Sequence, residues 1–151
     1  MITGLKKEVH TFCQKYVASR LDRIHSEIQK LNEGLLSETK STAGDKHETG
    51  RAMLHLEREK LGKQLLDSEN MKQVLSRIYP HQESPNIALG SLVTTNVAMY
   101  FISISAGKFK RKHVEVFCIS TSSPIGQALL GKTTGDAIMF NGKEQIILQV
   151  R

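Results

Sequence analysis

The stretch Val17-Ala18-Ser19-Arg20-Leu21-Asp22-Arg23-Ile24-His25-Ser26-Glu27-Ile28-Gln29-Lys30-Leu31-Asn32-Glu33-Gly34-Leu35 places apolar residues at Val17, Leu21, Ile24, Ile28, Leu31 and Leu35. The steps alternate between four and three, which is the seam of a two-helix coiled coil rather than the broader stripe of a core helix. Upstream, Leu5, Val9, Phe12 and Tyr16 carry the same spacing out of phase, so the seam shifts near residue 17. Downstream, Leu54, Leu61, Ser68 and Leu75 repeat every seven residues, with Leu65 at the intermediate position. Two runs of matching length predict an antiparallel coiled-coil hairpin. At 1.5 Å per residue, residues 6–36 make a rod of about 45 Å, longer than a small globular domain needs.

Between the runs, residues 37–44 are rich in Ser, Thr, Ala and Gly, which is turn chemistry between helices. Gly44-Asp45-Lys46-His47-Glu48 follows, with two carboxylates three residues apart at the expected tip. The pair reads in two compatible ways. An aspartate with an acid three positions later is a helix start, Asp45 being the N-cap. A carboxylate at the end of a stiff hairpin is also one that a partner's cavity can receive, with an oxygen left for a metal ion.

The character of the chain changes near Tyr79-Pro80. Pro80 and Pro85 bracket the polar His81-Gln82-Glu83-Ser84, which reads as a linker. The expected division is a helical hairpin over 1–79, a linker over 80–86 and a second domain over 87–151. Strands are expected at 87–96, 98–104, 114–119, 137–141 and 145–150, with a brief helix at 125–130. Asn141-Gly142 marks a two-residue hairpin. The part beyond residue 86 is too short for a large sheet with parallel crossovers, so the fold class is α+β with a small antiparallel sheet.

The formal net charge is +6 in 151 residues. Residues 1–79 hold 14 Lys/Arg against 11 Asp/Glu, and residues 80–151 hold 7 against 4, so both parts are equally basic. Such a balance permits an acidic partner without proving one. The compact basic run Lys108-Phe109-Lys110-Arg111-Lys112-His113 reads as a solvated hairpin loop, and no aromatic-interleaved platform for stacking bases accompanies it. Cys13 and Cys118 lack CxxC spacing and are expected to form neither a zinc site nor a redox pair. His47-Glu48 has Arg51 where a zincin needs histidine, and no phosphate-binding glycine loop or Gly-x-Ser-x-Gly elbow occurs. Charged helix follows Met1-Ile2-Thr3 at once, so no signal peptide or membrane span is evident and a cytoplasmic protein is expected.

Ile119-Ser120-Thr121-Ser122-Ser123-Pro124-Ile125-Gly126-Gln127-Ala128-Leu129-Leu130-Gly131-Lys132, with Gly135-Asp136 beyond it, resembles the C-terminal signature of the GreA/GreB transcript cleavage factors. Asn86-Ile87-Ala88-Leu89-Gly90-Ser91-Leu92-Val93 resembles the strand that leads into that domain. Gly44-Asp45-x-x-Glu48 matches the family's tip motif Gly-Asp-x-x-Glu, about 75 residues upstream and in the right order.

The resemblance implies an N-terminal coiled coil joined to a C-terminal domain of FKBP-like fold. That domain docks at the rim of the secondary channel of bacterial RNA polymerase while the coiled coil enters it. Asp45 and Glu48 would then help hold a second magnesium ion at the polymerase active site, where the RNA 3′ end of a backtracked complex is cleaved. The factor has no cofactor of its own under this reading, and the polymerase remains the enzyme. Lys46, Arg51, His55 and Arg58 would lie near RNA or channel; Ser123, Pro124 and Ile125 would form the docking loop. The chain departs from the family where Asn-Ala-Glu/Asp-Tyr usually follows the tip glutamate, having Thr49-Gly50-Arg51-Ala52 instead. Two other readings therefore stand beside cleavage: a channel-binding regulator that does not cleave, and an FKBP-like prolyl isomerase or chaperone whose coiled coil serves as an adaptor.

Overall fold

The computed structural model describes residues 4–40 and 44–151; the side chains of 38–40 and 44–48 lie outside the described residues. Two long helices, α1 (Leu5–Lys40) and α2 (Gly44–Ser76), precede β1 (Leu92–Thr95), β2 (Met99–Ser103), β3 (Gly107–Arg111), β4 (Val114–Ser120), α3 (Pro124–Leu129), β5 (Ala137–Phe140) and β6 (Lys143–Val150). The α+β class expected from the sequence is the one observed. The chain forms two compact units that follow packing rather than chain order. One is Val17–Met71, and the other joins Met1–Tyr16 to Lys72–Arg151.

Within Val17–Met71 the heptad positions do what their spacing predicts. Val17, Ile24, Leu31, Leu61 and Ser68 are buried, while Leu21, Ile28, Leu35, Leu54 and Leu65 are partly covered. Arg20 Nη2 lies 3.1 Å from Asp67 Oδ2, and a Cβ on Gly34 would lie 3.8 Å from Leu54. Both pairs have residue numbers that sum to nearly the same value, which is antiparallel packing. Ser68 takes a seam position where leucine would be usual, and its hydroxyl is satisfied by the Gln64 carbonyl at 2.9 Å. A polar residue in a seam fixes helix register at some loss of stability.

Residues 37–40, expected to open the turn, instead continue α1. Helix α2 begins at Gly44, so the backbone of Asp45 is already helical rather than at the cap. An acid in that first turn keeps its favourable place near the positive end of the helix dipole. Farther along α2, a Cβ added at Gly62 meets nothing within 4 Å. Gly62→Ala is expected to raise unfolding free energy by about 1 kcal/mol, because alanine lowers the entropy of the unfolded chain without meeting a neighbour. A higher denaturant midpoint at unchanged m value is the readout.

In the other unit the six strands form one sheet in the order β3-β4-β2-β1-β6-β5. Its pairs are antiparallel except β2 with β4, which run parallel through Tyr100↔Phe117 to Ser103↔Ser120. The sheet is otherwise antiparallel, as expected, with this pair as the exception. The cause is β3, a strand where the sequence predicts a hairpin loop. It forms a hairpin with β4 on the outer edge, and so delivers β4 beside β2 in the same direction. The Asn141-Gly142 hairpin forms as expected, with φ of 51° and 76° and Phe140 opposite Lys143. The first strand is shorter than expected, starting at Leu92, because the chain turns at Gly90 with φ 91°.

One sheet face and α3 enclose Ile87, Val93, Tyr100, Ile102, Ile125, Leu129, Ile138 and Ile147. Residues of the opposite face meet the start of α1. The rings of His10 and Phe101 stand edge to face at 6.4 Å, as do those of Phe12 and Phe109 at 5.5 Å. Arg111 also pairs with Glu8. The unit thus has apolar layers on both faces of the sheet.

Candidate functional site

The tip is made by the start of α2. The backbone of Asp45 and Glu48 lies in its first turns. The side chains of Asp45, Lys46 and Glu48, and the contacts expected of them, lie outside the described residues. One to two turns farther along, Arg51 and His55 are exposed at i and i+4, which stacks them on one face of α2. Arg58, three residues beyond His55, is exposed as well.

The Ser123, Pro124 and Ile125 group belongs to the β-bearing unit and is built by the turn from β4 into α3. Ser123 caps the helix: its Oγ accepts the Gly126 N–H at 3.1 Å and donates to the Ser120 carbonyl at 2.7 Å. Pro124 occupies the first helical turn, where its missing N–H is not needed. Ile125 is buried in the core, leaving Pro124 as the exposed member of the three. Gly126 approaches the Ser120 carbonyl so closely that an added Cβ would stand 2.1 Å from its oxygen. Much of the Ser-Pro-Ile-Gly signature is therefore spent on making the turn. Beyond α3, the Lys132 carbonyl accepts from Ile87 N–H at 2.8 Å, which ties it to the segment before β1.

Residues 108–111 of the basic run lie in the edge strand β3, with charges that alternate with the pleat, while Lys112-His113 make the hairpin turn into β4. Lys108 and Lys110 face Glu115 on β4, at 3.3 and 3.6 Å. Hydrogen bonding from Lys108 is the main cause that holds the Glu115 carboxyl below its ordinary value; the nearby charges of both lysines add to it against burial. Lys108 Nζ also lies 5.3 Å from the centroid of the half-exposed Phe117 ring. Phe109 and Arg111 turn the other way, toward Phe12 and Glu8 of α1.

Cys13 on α1 and Cys118 on β4 are both buried free thiols of the β-bearing unit. Cys13 Sγ lies 3.7 Å from Ser103 Oγ on β2. The neighbouring Cys13 thiol, and then burial, push the Cys118 thiol up. CxxC spacing says nothing of this burial. The available signal was Cys13's place in the series Leu5, Val9, Cys13, whose members are all buried.

No protein-family model matches this chain, and no curated protein matches it. Among solved structures, that of the transcription factor Gfh1 is similar to it. The match has 21% sequence identity and a TM-score of 0.36, and covers 90% of this chain and 91% of that one. Among the described residues no helix is long and apolar enough to cross a membrane.

Proposed function

We propose that this chain is a Gre-type transcription elongation factor. It binds bacterial RNA polymerase at the secondary channel and stimulates cleavage of backtracked RNA through Asp45 and Glu48. The observation that supports the reading is that both acids fall, by backbone, in the first turns of α2, which packs antiparallel to α1 through Arg20–Asp67. A seam of heptad residues supports that end from both helices.

Two carboxylates do not make a complete metal site, but they suit a hard cation whose other ligands are water, phosphate oxygens and partner carboxylates. The donor set therefore fits magnesium shared with the polymerase. When bound, such an ion neutralises charge on the scissile phosphate and favours ionisation of the attacking water. Asp45 and Glu48, three residues apart in α2, supply the oxygens. Lys46, Arg51 and His55 supply positive or hydrogen-bonding groups for RNA or channel walls. Pro124, at the exposed turn of α3, belongs to the docking surface; Ser123 and Ile125 hold that turn in shape. Under this reading the β-bearing unit is the FKBP-like, polymerase-docking domain.

A second reading is favoured by one local feature. Helix α2 runs unbroken through Thr49-Gly50-Arg51-Ala52, without the aromatic residue of the family's tip. A channel-binding regulator that does not cleave would need the hairpin but not that aromatic. Both readings require binding to polymerase. Fluorescently labelled full-length protein is expected to bind bacterial core RNA polymerase saturably, and to be displaced by an unlabelled secondary-channel ligand. Absence of binding would remove both.

A further inference from the structure

We propose that the open edge of β3, with the groove between it and the start of α1, is a docking site for an extended acidic peptide segment of a partner protein, taken up as an added strand of the sheet. The proposal rests neither on the tip nor on the turn around Pro124. Its first support is the edge itself. β3 closes one side of the sheet and pairs with β4 alone, from Gly107↔Cys118 to Arg111↔Val114. Alternate residues of such a strand aim N–H and C=O groups away from the sheet. Among the described residues no backbone hydrogen bond outside that ladder involves residues 107–111. A row of alternating donors and acceptors matches another peptide backbone, whereas phosphate groups only accept.

The second support is the groove. It encloses about 480 Å³ within the β-bearing unit, and its lining carries Lys7, Lys15, Lys110 and Arg111 against one carboxylate, Glu8. Glu8 is already paired with Arg111. Lys7 and Lys15 are exposed, and neither has an ion-pair partner among the described residues. Phe12 and Phe109, both half-buried and edge to face, supply an apolar part of the same lining.

The third is alternation. A strand added to β3 turns its side chains to the two faces of the sheet in turn. On one face they meet Phe109, Arg111 and the cations of α1; on the other they meet Lys108 and Lys110, which share the single carboxylate of Glu115. Cations on both faces, with aromatic surface on one, fit a segment whose acids flank an aromatic residue. The same charges disfavour a second copy of this chain: two β3 strands paired edge to edge about Phe109 would set Lys108 against Lys110. Lysines on an edge strand also serve to keep edges apart. Lys7 and Lys15 stand on a helix, where that role is not needed.

The test uses the full-length chain and the end-blocked, fluorescein-labelled peptide Glu-Asp-Phe-Asp-Glu, followed by fluorescence anisotropy at low salt. The expected result is saturable binding that weakens as salt is added, with no binding of Lys-Lys-Phe-Lys-Lys. Lys7→Glu with Lys15→Glu should weaken it about tenfold, since each exposed ion pair is worth up to a factor of about five. Two further probes carry N-methyl groups on one or the other alternating set of amides. One should lose about tenfold in affinity for the unsubstituted protein, having lost its hydrogen bonds to β3, while the other keeps it. That comparison needs no folded variant. Absence of saturable binding, unchanged affinity in the double variant, equal behaviour of the two methylated probes, or tighter binding of a single-stranded oligonucleotide of equal charge would each overturn the proposal.

Discussion

Gly126→Ala is expected to destabilise the β-bearing unit by about 3 kcal/mol, at the upper end of what overpacking usually costs. The added Cβ would stand 2.1 Å from the Ser120 carbonyl oxygen, a backbone atom that cannot swing aside as a flexible side chain would. That carbonyl already accepts from Ser123 N–H at 3.2 Å and Ser123 Oγ at 2.7 Å. Relief means opening the β4–α3 turn. Opening it withdraws Ile125 and Leu129 from the core that they share with Tyr100, Ile102 and Ile147. Gly62→Ala, the same chemical change on an open helix face, should shift stability the other way. Denaturant titration of both variants checks the contrast. A Gly126→Ala protein as stable as the parent would mean that the close approach at this turn is wrong.

The second large effect concerns the tip. Asp45→Asn with Glu48→Gln is expected to lower cleavage of backtracked RNA by about 100-fold or more. Changing groups that merely orient metal ligands commonly costs 10–100-fold, and these residues are assigned as ligands themselves. The amides keep the size of the acids but lose the charge that a hard cation requires. Binding to polymerase should change little, because docking is assigned to the distant-in-sequence turn around Pro124. A variant that cleaves at the parent rate would remove the carboxylates from the mechanism.

The hairpin was legible in the sequence because each buried position repeats at a fixed spacing, and a local period needs no knowledge of the partner helix. Ile24, Leu31, Leu61 and Ser68 all bury as that period requires. The first part of α1 was harder. Phe12 and Tyr16 looked like seam residues, but Cys13 is the buried one and Phe12 packs edge to face with Phe109. Only the sheet beneath the helix decides which residue turns inward. Strand β3 was missed for a related reason. Its lysines lie on the exposed face of an edge strand, and the alternation of Lys108, Phe109 and Lys110 was outweighed by charge. Missing β3 also hid the parallel register of β2 with β4, which depends on that hairpin.

At the candidate site, the sequence marked a brief helix at 125–130, close to the α3 observed. It did not show that Ser123 is committed to a helix cap and Ile125 to the core. Nor did it show Cys13 beside Ser103 of β2, because contacts between residues so far apart in sequence leave no local pattern. Non-local pairing is the common element in what was missed. Local periodicity is the common element in what was found.

The most direct measurement is transcript length in a backtracked elongation complex of bacterial RNA polymerase, with and without the full-length protein, at saturating protein and with magnesium present. The account predicts shortened transcripts that polymerase can extend again when nucleotides are supplied. Saturable binding with transcripts left at full length would contradict the cleavage role and leave the hairpin as a ligand of the channel.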